Sequence, residues 1–403
     1  MKRFNKKHLV ILLMTLLFLT ACSDESTSPE LKSTDDELAE LFSQSTLPGI
    51  SYSLVDGAGI KSFGTSGYAN LELGIKYNED TRQSVASVSK AVLGVAVAKS
   101  IELGYFSLDT EINDLVPFEV NNPDFPEKKI KIKHLATHTS GIVDDIQFFF
   151  ATYKILPNED LGTETSKFMI NTLNAQTGEL PPMGEILYEY LSEDGEYYSQ
   201  TNFSDYAPGE GYDYSNVGAS LLAAIIELKS EMSYKEFVNK YIFSPLGMNG
   251  TSFGYPANEN SNLYSKLYFN KSVSYPRYQS ALYASGSLIS TVNDLSKFLA
   301  EMINGYNKTN YSILTGESYD MLFDIMYTDQ VTGAVHGLFW FREGNDLFHA
   351  GNDLGTVAKI HFNTKTGKGF VFMTNSEIQF SEDAGSNLVS INNILYRLGD
   401  EVN

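Results

Sequence analysis

The segment Ala91-Val92-Leu93-Gly94-Val95-Ala96-Val97-Ala98 constrains this chain more than any other, because it is apolar on nearly every side. A helix of that kind has no solvated face, so it belongs inside a protein, sandwiched between layers. Gly104 stands where such a helix can end. With 403 residues the chain is long enough for a large core or two lobes around that helix.

The flanking patterns predict what surrounds it. Thr34-Asp35-Asp36-Glu37 fits a capping box, followed by Leu38, Leu41 and Phe42 on one helical face. Ile50, Tyr52 and Leu54 alternate with Ser51 and Ser53, as in a half-buried strand. Asp56-Gly57 signals a turn, and a second strand follows around Ile60 to Phe63. Residues 105 to about 285 show helical stretches and long loops, with helices expected at Val217–Glu227 and Tyr234–Tyr241. Pro181-Pro182, Pro208-Gly209 and Pro245-Leu246-Gly247 punctuate the gaps. A helix around Asn293–Met302 comes next. Strands are expected near Gly337–Phe341, Leu347–His349, Val357–Phe362 and Gly369–Thr374. A last helix carries Leu388, Ile391, Leu395 and Leu398 at helical spacing, with Gly399 at its expected C-cap. The reading is an α/β (α+β) lobe from about 34–103 and 286–400, with a mainly helical lobe of about 104–285 inserted beside it.

The first residues read as an address. A basic stretch ends near His8, and Leu9 to Leu19 is an apolar run of 11 residues, about half of what spans a bilayer. It stops at Leu19-Thr20-Ala21-Cys22. This is similar to the lipobox of bacterial lipoproteins, which implies cleavage of residues 1–21 and acylation of Cys22, the only cysteine in the chain. Residues 22–33 are polar and read as a flexible tether. The expectation is an exported protein, lipid-anchored to a bacterial membrane. The formal charge is −21, and −25 without residues 1–21. Such a surface repels phosphate backbones, so a nucleic-acid partner is not expected.

Three motifs carry chemistry. Ser87-Val88-Ser89-Lys90 stands at the mouth of the buried helix, and positions three apart share a helical face, with Cβ atoms about 5–6 Å apart. The positive helix N-terminus and burial both lower a lysine pKa, and a neutral amine can take a serine proton. Tyr214-Ser215-Asn216 precedes an apolar helix. A phenol beside a lysine can have a lowered pKa and relay a proton, and Asn216 offers a donor and an acceptor to a substrate amide. In His349-Ala350-Gly351-Asn352 the glycine permits close approach to a strand, where a main-chain N–H can meet a substrate carbonyl oxygen.

In this order, Ser-x-x-Lys, Tyr-x-Asn and His-x-Gly resemble the serine penicillin-recognising enzymes, and within them the branch of class C β-lactamases, D-Ala-D-Ala carboxypeptidases and related esterases. His138-Thr139-Ser140-Gly141, Ser244-Pro245-Leu246-Gly247-Met248, Ala284-Ser285-Gly286-Ser287-Leu288 and Gly337 to Trp340 fit too, and the resemblance covers about residues 45 to 380. It implies a β-lactamase/transpeptidase-like domain over 34–400, whose antiparallel sheet is flanked by N- and C-terminal helices. It implies that Ser87 forms an acyl-enzyme and that Lys90 and Tyr214 share base and acid work, with the first base left open. Asn216 would hold the substrate amide, and His349 would replace the lysine of β-lactamases. The N–H groups of Ser87 and Asn352 would form the oxyanion hole beside Gly351. No cofactor is required.

Other features read differently. Lys365-Thr366-Gly367 matches the β-lactamase form of the third motif but lies between two strand-like runs, as a hairpin turn. His134 and His138 have zinc-like spacing, but Leu135 occupies the place of the glutamate a metalloprotease needs, so a structural role is expected. Phe148, Phe149, Phe150, Tyr188, Tyr190, Tyr197 and Tyr198 read as packing of the helical lobe, or as a cap over the pocket. The functional readings are a D-Ala-D-Ala carboxypeptidase-like peptidase or amidase on cell-wall-type peptides, then an esterase, a β-lactamase, or a non-catalytic binding protein. Neutral imidazole at the third motif attracts a carboxylate less than lysine does, which weakens the β-lactamase reading.

Overall fold

The structure, a computed structural model, describes residues 34–256, 260–329, 335–377 and 382–401. The signal segment, the tether and Cys22 lie outside the described residues, as do the side chains of the expected capping box and of Leu398.

The alternating N-terminal segment builds β1 (Gly49–Asp56), followed by β2 (Gly59–Asn70) and β3 (Ile75–Lys76). From the other end of the chain come β4 (Tyr327–Thr328), β5 (Val335–His336), β6 (Phe341–Glu343), β7 (Asp346–Asp353), β8 (Thr356–Asn363) and β9 (Lys368–Thr374). Together they form one sheet in the order β4-β5-β6-β7-β8-β9-β1-β2-β3, with antiparallel neighbours throughout. The two ends of the sequence meet at β1 and β9, where Ile50 pairs with Thr374.

Helices cover both faces. On one side α1 (Thr34–Gln44) and a C-terminal helix (Glu382–Glu401) bring Leu38, Phe42, Leu388, Ile391 and Leu395 onto Ile50, Tyr52 and Leu54. On the other side lie α2 (Ser89–Glu102), α3 (Asn216–Ser230) and α4 (Val292–Asn307), which share the main core. The expectation of a half-buried β1 is therefore corrected. Ser51 and Ser53 are fully buried, and Ser53 Oγ stands 2.6 Å from Ser296 Oγ of α4. Pairing with Ser296 lets the Ser53 hydroxyl lie under the helix with a partner.

The all-apolar segment is α2, and every residue from Ser89 to Ala98 is buried. Gly94 is what lets it nest: a Cβ there would stand 2.3 Å from Leu338 O. Leu338 belongs to Gly337–Trp340, which was expected as strand but leaves the ladder between β5 and β6. Phe339 takes φ +58 and donates its N–H to Ala136 O at 3.0 Å, which ties the sheet to the helical lobe. The middle of the chain is mainly helical as expected, but it also holds a three-stranded sheet of Tyr153–Ile155, Gln176–Thr177 and Tyr278–Ser280. These strands are too short for an alternation to register. Two further expectations resolve simply. Lys365-Thr366-Gly367 lies in the turn between β8 and β9. Gly399 is no C-cap, because the last helix continues to Glu401.

Candidate active site

The nucleophile sits on a turn, not on the helix itself. Ala86–Val88 form a single 3₁₀ turn ahead of α2, and Ala86 adopts φ +46. A non-glycine residue in that region costs about 1–3 kcal/mol, so its surroundings must hold it there. They do so through Ser89, whose Oγ donates to Ala86 O at 2.6 Å and accepts from Leu288 N at 3.1 Å. Ser87 retains partial exposure, while Lys90 beneath it has none. The i,i+3 relation expected of a helix survives, with Lys90 Nζ 3.2 Å from Ser87 Oγ.

Lys90 Nζ has two closer partners, Asn216 Oδ1 and Ser285 O, each at 2.7 Å. Burial pushes its pKa down to about 7, against the opposing pull of Asp144 and Asp353. A neutral amine has two hydrogens and one lone pair. The hydrogens meet the two oxygens at 2.7 Å, and the lone pair is left for the Ser87 hydroxyl.

Tyr214 is hydrogen-bonded to Ser87, and Lys90 Nζ lies 4.6 Å from the centre of its ring. The expected lowering of its pKa is corrected: burial raises it, and Asp144 adds to the rise. The phenol therefore stays protonated in the resting site. Its ring lies 4.3 Å from that of His138, whose Nδ1 accepts from Ser215 N at 3.1 Å. That bond places the proton of the neutral ring on Nε2. The site thus absorbs His138 and separates it from His134, whose Nδ1 accepts from Lys131 N. Among the described residues no group of three or more His, Cys, Asp or Glu is placed to hold a metal ion.

His349 is fully buried, so its side chain does not face a substrate as the sequence reading expected. Its Nδ1 is 2.6 Å from Phe339 O, a pure acceptor, so Nδ1 carries the proton. Burial and the nearby Lys90 push its pKa down to about 3, leaving a neutral ring at physiological pH.

β7 places the remaining groups. A Cβ on Gly351 would stand 2.2 Å from Val85 O and 2.7 Å from Ser87 N, so only glycine brings the strand onto the nucleophile turn. The Thr364 N–H to Asn345 O bond sets the phase of the β7–β8 ladder. By that alternation His349 and Gly351 bond to β8, whereas Ala350 and Asn352 turn their N–H groups to the opposite edge. β6 pairs with that edge only as far as Phe348. Asn352 N–H therefore points from a free strand edge beside Ser87.

Two contributors were missed in the sequence. Asp144 is half-buried and accepts from Ser215 Oγ, Asn216 N, Asn216 Nδ2 and Val217 N at 2.7–3.0 Å. It caps α3 and orients the Asn216 amide, so that Oδ1 faces Lys90. The adjacent Asp145 caps its own local helix, Ile146–Ala151. Two neighbouring acids with one local and one distant task look alike in sequence. The second contributor is the carbonyl of Ser285, and nothing in a side-chain pattern marks a backbone oxygen. In the aromatic-rich region Phe148 stacks on Tyr190 at 4.1 Å, and Tyr188 packs edge-on against Phe118, as the packing reading expected.

Comparison with known proteins gives matches over most of the chain. A family model described as Beta-lactamase matches residues 34–389. Protein flp of Staphylococcus aureus (strain MRSA252) is 24% identical over 339 residues, covering 83% of this chain. This chain spans 60% of that relative's length. Among solved structures, the octameric penicillin-binding protein homologue from Pyrococcus abyssi superposes with a TM-score of 0.67 at 22% identity, covering 89% of this chain and 77% of that one. A class C beta-lactamase gives a TM-score of 0.65 at 18% identity, covering 92% and 95%.

Proposed function

The chain belongs to the beta-lactamase family of serine hydrolases, and from that premise we propose that it cleaves amide bonds in cell-wall-type peptides through an acyl-enzyme on Ser87, in the manner of a D-Ala-D-Ala carboxypeptidase or amidase. The observation that carries the reading is the Lys90 amine, held by Asn216 and Ser285 with its remaining valence on Ser87 Oγ.

In this reading Lys90 is the first base. It takes the Ser87 proton as Oγ attacks the scissile carbonyl, and the carbonyl electrons move onto oxygen. The N–H groups of Ser87 and Asn352 receive that oxyanion, each worth about 3–4 kcal/mol in a preorganised site. When the C–N bond breaks, Tyr214 gives its proton to the departing amine and is reprotonated from Lys90. Water then cleaves the acyl ester with Lys90 again as base. The protonated phenol supports amide substrates, because an amine leaves well only with a proton, whereas an alkoxide of low pKa needs less help. The neutral, buried His349 gives no cation for a substrate carboxylate, which speaks against a β-lactam and, within the reading, favours the amidase over the carboxypeptidase. Export and lipid anchoring at Cys22 form part of the proposal, supported by the leader pattern, and would place the enzyme next to the cell wall.

The test compares the soluble part, from about Ser23, with its Ser87→Ala variant. A fluorophosphonate probe and a fluorescent penicillin are read on a gel, and D-Ala release is followed from D-Ala-D-Ala peptides. Label and release on wild type alone support the reading. Turnover of p-nitrophenyl esters without any amide cleavage would make the chain an esterase. Absence of label and of all turnover would leave a binding protein.

A further inference from the structure

Gly351 lays its bare face on the Ser87 turn. The residues two places before and after it, His349 and Asp353, project from the same face of β7, one to each side of the nucleophile. On the His349 side stand His138 and Tyr214, the group that protonates the leaving amine in the reading above. The leaving group therefore departs on that side, and the acyl portion of a substrate extends along the other, toward Asp353. At about 3.3 Å per strand residue, the Asp353 Cα lies about 7 Å beyond that of Gly351. That is within reach of a group borne next to the scissile carbonyl.

We propose that Asp353 selects substrates whose acyl portion carries a primary ammonium beside the scissile carbonyl, such as an amino-acid amide or a peptide cleaved next to its free N-terminus. The inference rests on the amide-hydrolase reading and narrows its substrate class.

Asp353 has the chemistry for this. Its carboxylate accepts from Tyr153 OH at 2.9 and 3.1 Å and from Leu354 N at 2.8 Å. Among the described residues it forms no ion pair with a lysine or arginine. Lys90, whose charge falls away near pH 7, acts on it electrostatically. Burial raises its pKa to about 6, as expected of a carboxylate short of a counter-charge. Glu377 bonds Gly355 N at 3.3 Å, and burial, with Asp353 adding to it, raises its pKa to about 7, so it brings no positive charge to the region. The walls are aromatic: Tyr153 and Tyr278 stack at 5.1 Å, and Tyr278 OH bonds Leu354 O at 3.0 Å. Both tyrosines are buried, whereas Asp353 keeps partial exposure and so borders open space. A carboxylate without a counter-ion is complementary to an ammonium and repels an anion. The same field disfavours an acyl group that is neutral or carries a carboxylate there.

The test uses D-alanine p-nitroanilide and its N-acetyl derivative at pH 7.5, with wild type and Asp353→Asn. The asparagine keeps an acceptor for Tyr153 OH and Leu354 N, and fluorophosphonate labelling with a thermal melt checks that the site is assembled. Wild type is expected to favour the free amine by about tenfold or more in kcat/KM, the scale of one charge-assisted contact. The ratio should fall to within about threefold in the variant. Equal or better cleavage of the acetylated substrate by wild type overturns the inference and leaves the hydrolase reading standing. An unchanged ratio in the variant overturns the role of Asp353. No turnover of either substrate overturns the inference together with the reading it rests on.

Discussion

Lys90 Nζ stands 2.7 Å from Asn216 Oδ1 and 3.2 Å from Ser87 Oγ, so the amine is held more closely by the asparagine than by the hydroxyl it serves. The asparagine is in turn clamped by Asp144, which takes both its backbone and its side-chain N–H. A chain of fixed hydrogen bonds thus runs from the Asp144 carboxylate to the nucleophile. Each link is set by a donor or acceptor that has no other choice.

The first consequence is a pH profile. With the native Lys90 pKa near 7, kcat/KM for a neutral ester or anilide should rise with pH through an acidic limb near 7 and level off above it. Lys90→Arg, which cannot deprotonate, should lose at least about a hundredfold. A rate that stays flat between pH 5.5 and 8 would remove Lys90 from the role of base.

The same lysine makes stability depend on pH. The native amine loses its proton near 7, while the unfolded chain keeps it to about 10.4. Between those values the unfolded state binds more protons, so this residue's destabilising effect is full below pH 7 and fades as pH rises toward 10. Lys359, also depressed by burial, to about 8, acts in the same direction, so the comparison must be a difference. The melting temperature of wild type should gain on that of Lys90→Met between pH 6.5 and 9. Parallel curves for the two proteins would contradict the low native pKa.

Asp144 should prove costly to replace even by its isostere. All four of its partners are donors, so Asp144→Asn puts an NH₂ group against two of them. Both Asp144→Asn and Asp144→Ala are expected to destabilise by about 2–4 kcal/mol and to lower kcat more than they raise KM. Urea melts and steady-state kinetics read the two effects. An Asn variant with wild-type kcat would mean that Asn216 holds its orientation without Asp144.

Much of this was legible in the sequence because the signals were side chains with fixed spacing. Ser87, Lys90, Tyr214, Asn216 and Gly351 converge as three motifs far apart in the chain. What was not legible came from burial and from the backbone. Tyr214 was expected to have a lowered pKa because lysine lies nearby, yet desolvation raises it and the hydrogen bond to Ser87 opposes that only in part. His349 was expected to meet substrate, yet its partner is the carbonyl of Phe339, and that segment reaches it by leaving the sheet at a positive φ. Ser51 and Ser53 read as a solvent face because alternation reports polarity, and polarity cannot reveal that Ser296 waits on a helix above.

The contact of β7 with the nucleophile turn supplies the last prediction. The atoms that a Cβ on Gly351 would strike are Val85 O, Ser87 N and Val88 N, all backbone, so no side-chain rotation can relieve the clash. Gly351→Ala must shift the strand or the turn, and the turn is already held at φ +46 by the bonds of Ser89. The strand therefore moves, carrying Asn352 N–H away from Ser87. A displacement of about 1 Å at such a site costs about a hundredfold in rate, while overpacking of this kind costs about 1–3 kcal/mol in stability. Gly351→Ala should thus remain folded at 25 °C and label with fluorophosphonate at least about a hundredfold more slowly than wild type, a separation readable from a labelling time course beside a thermal melt. Labelling at the wild-type rate would show that the free edge of β7 takes no part in receiving the oxyanion.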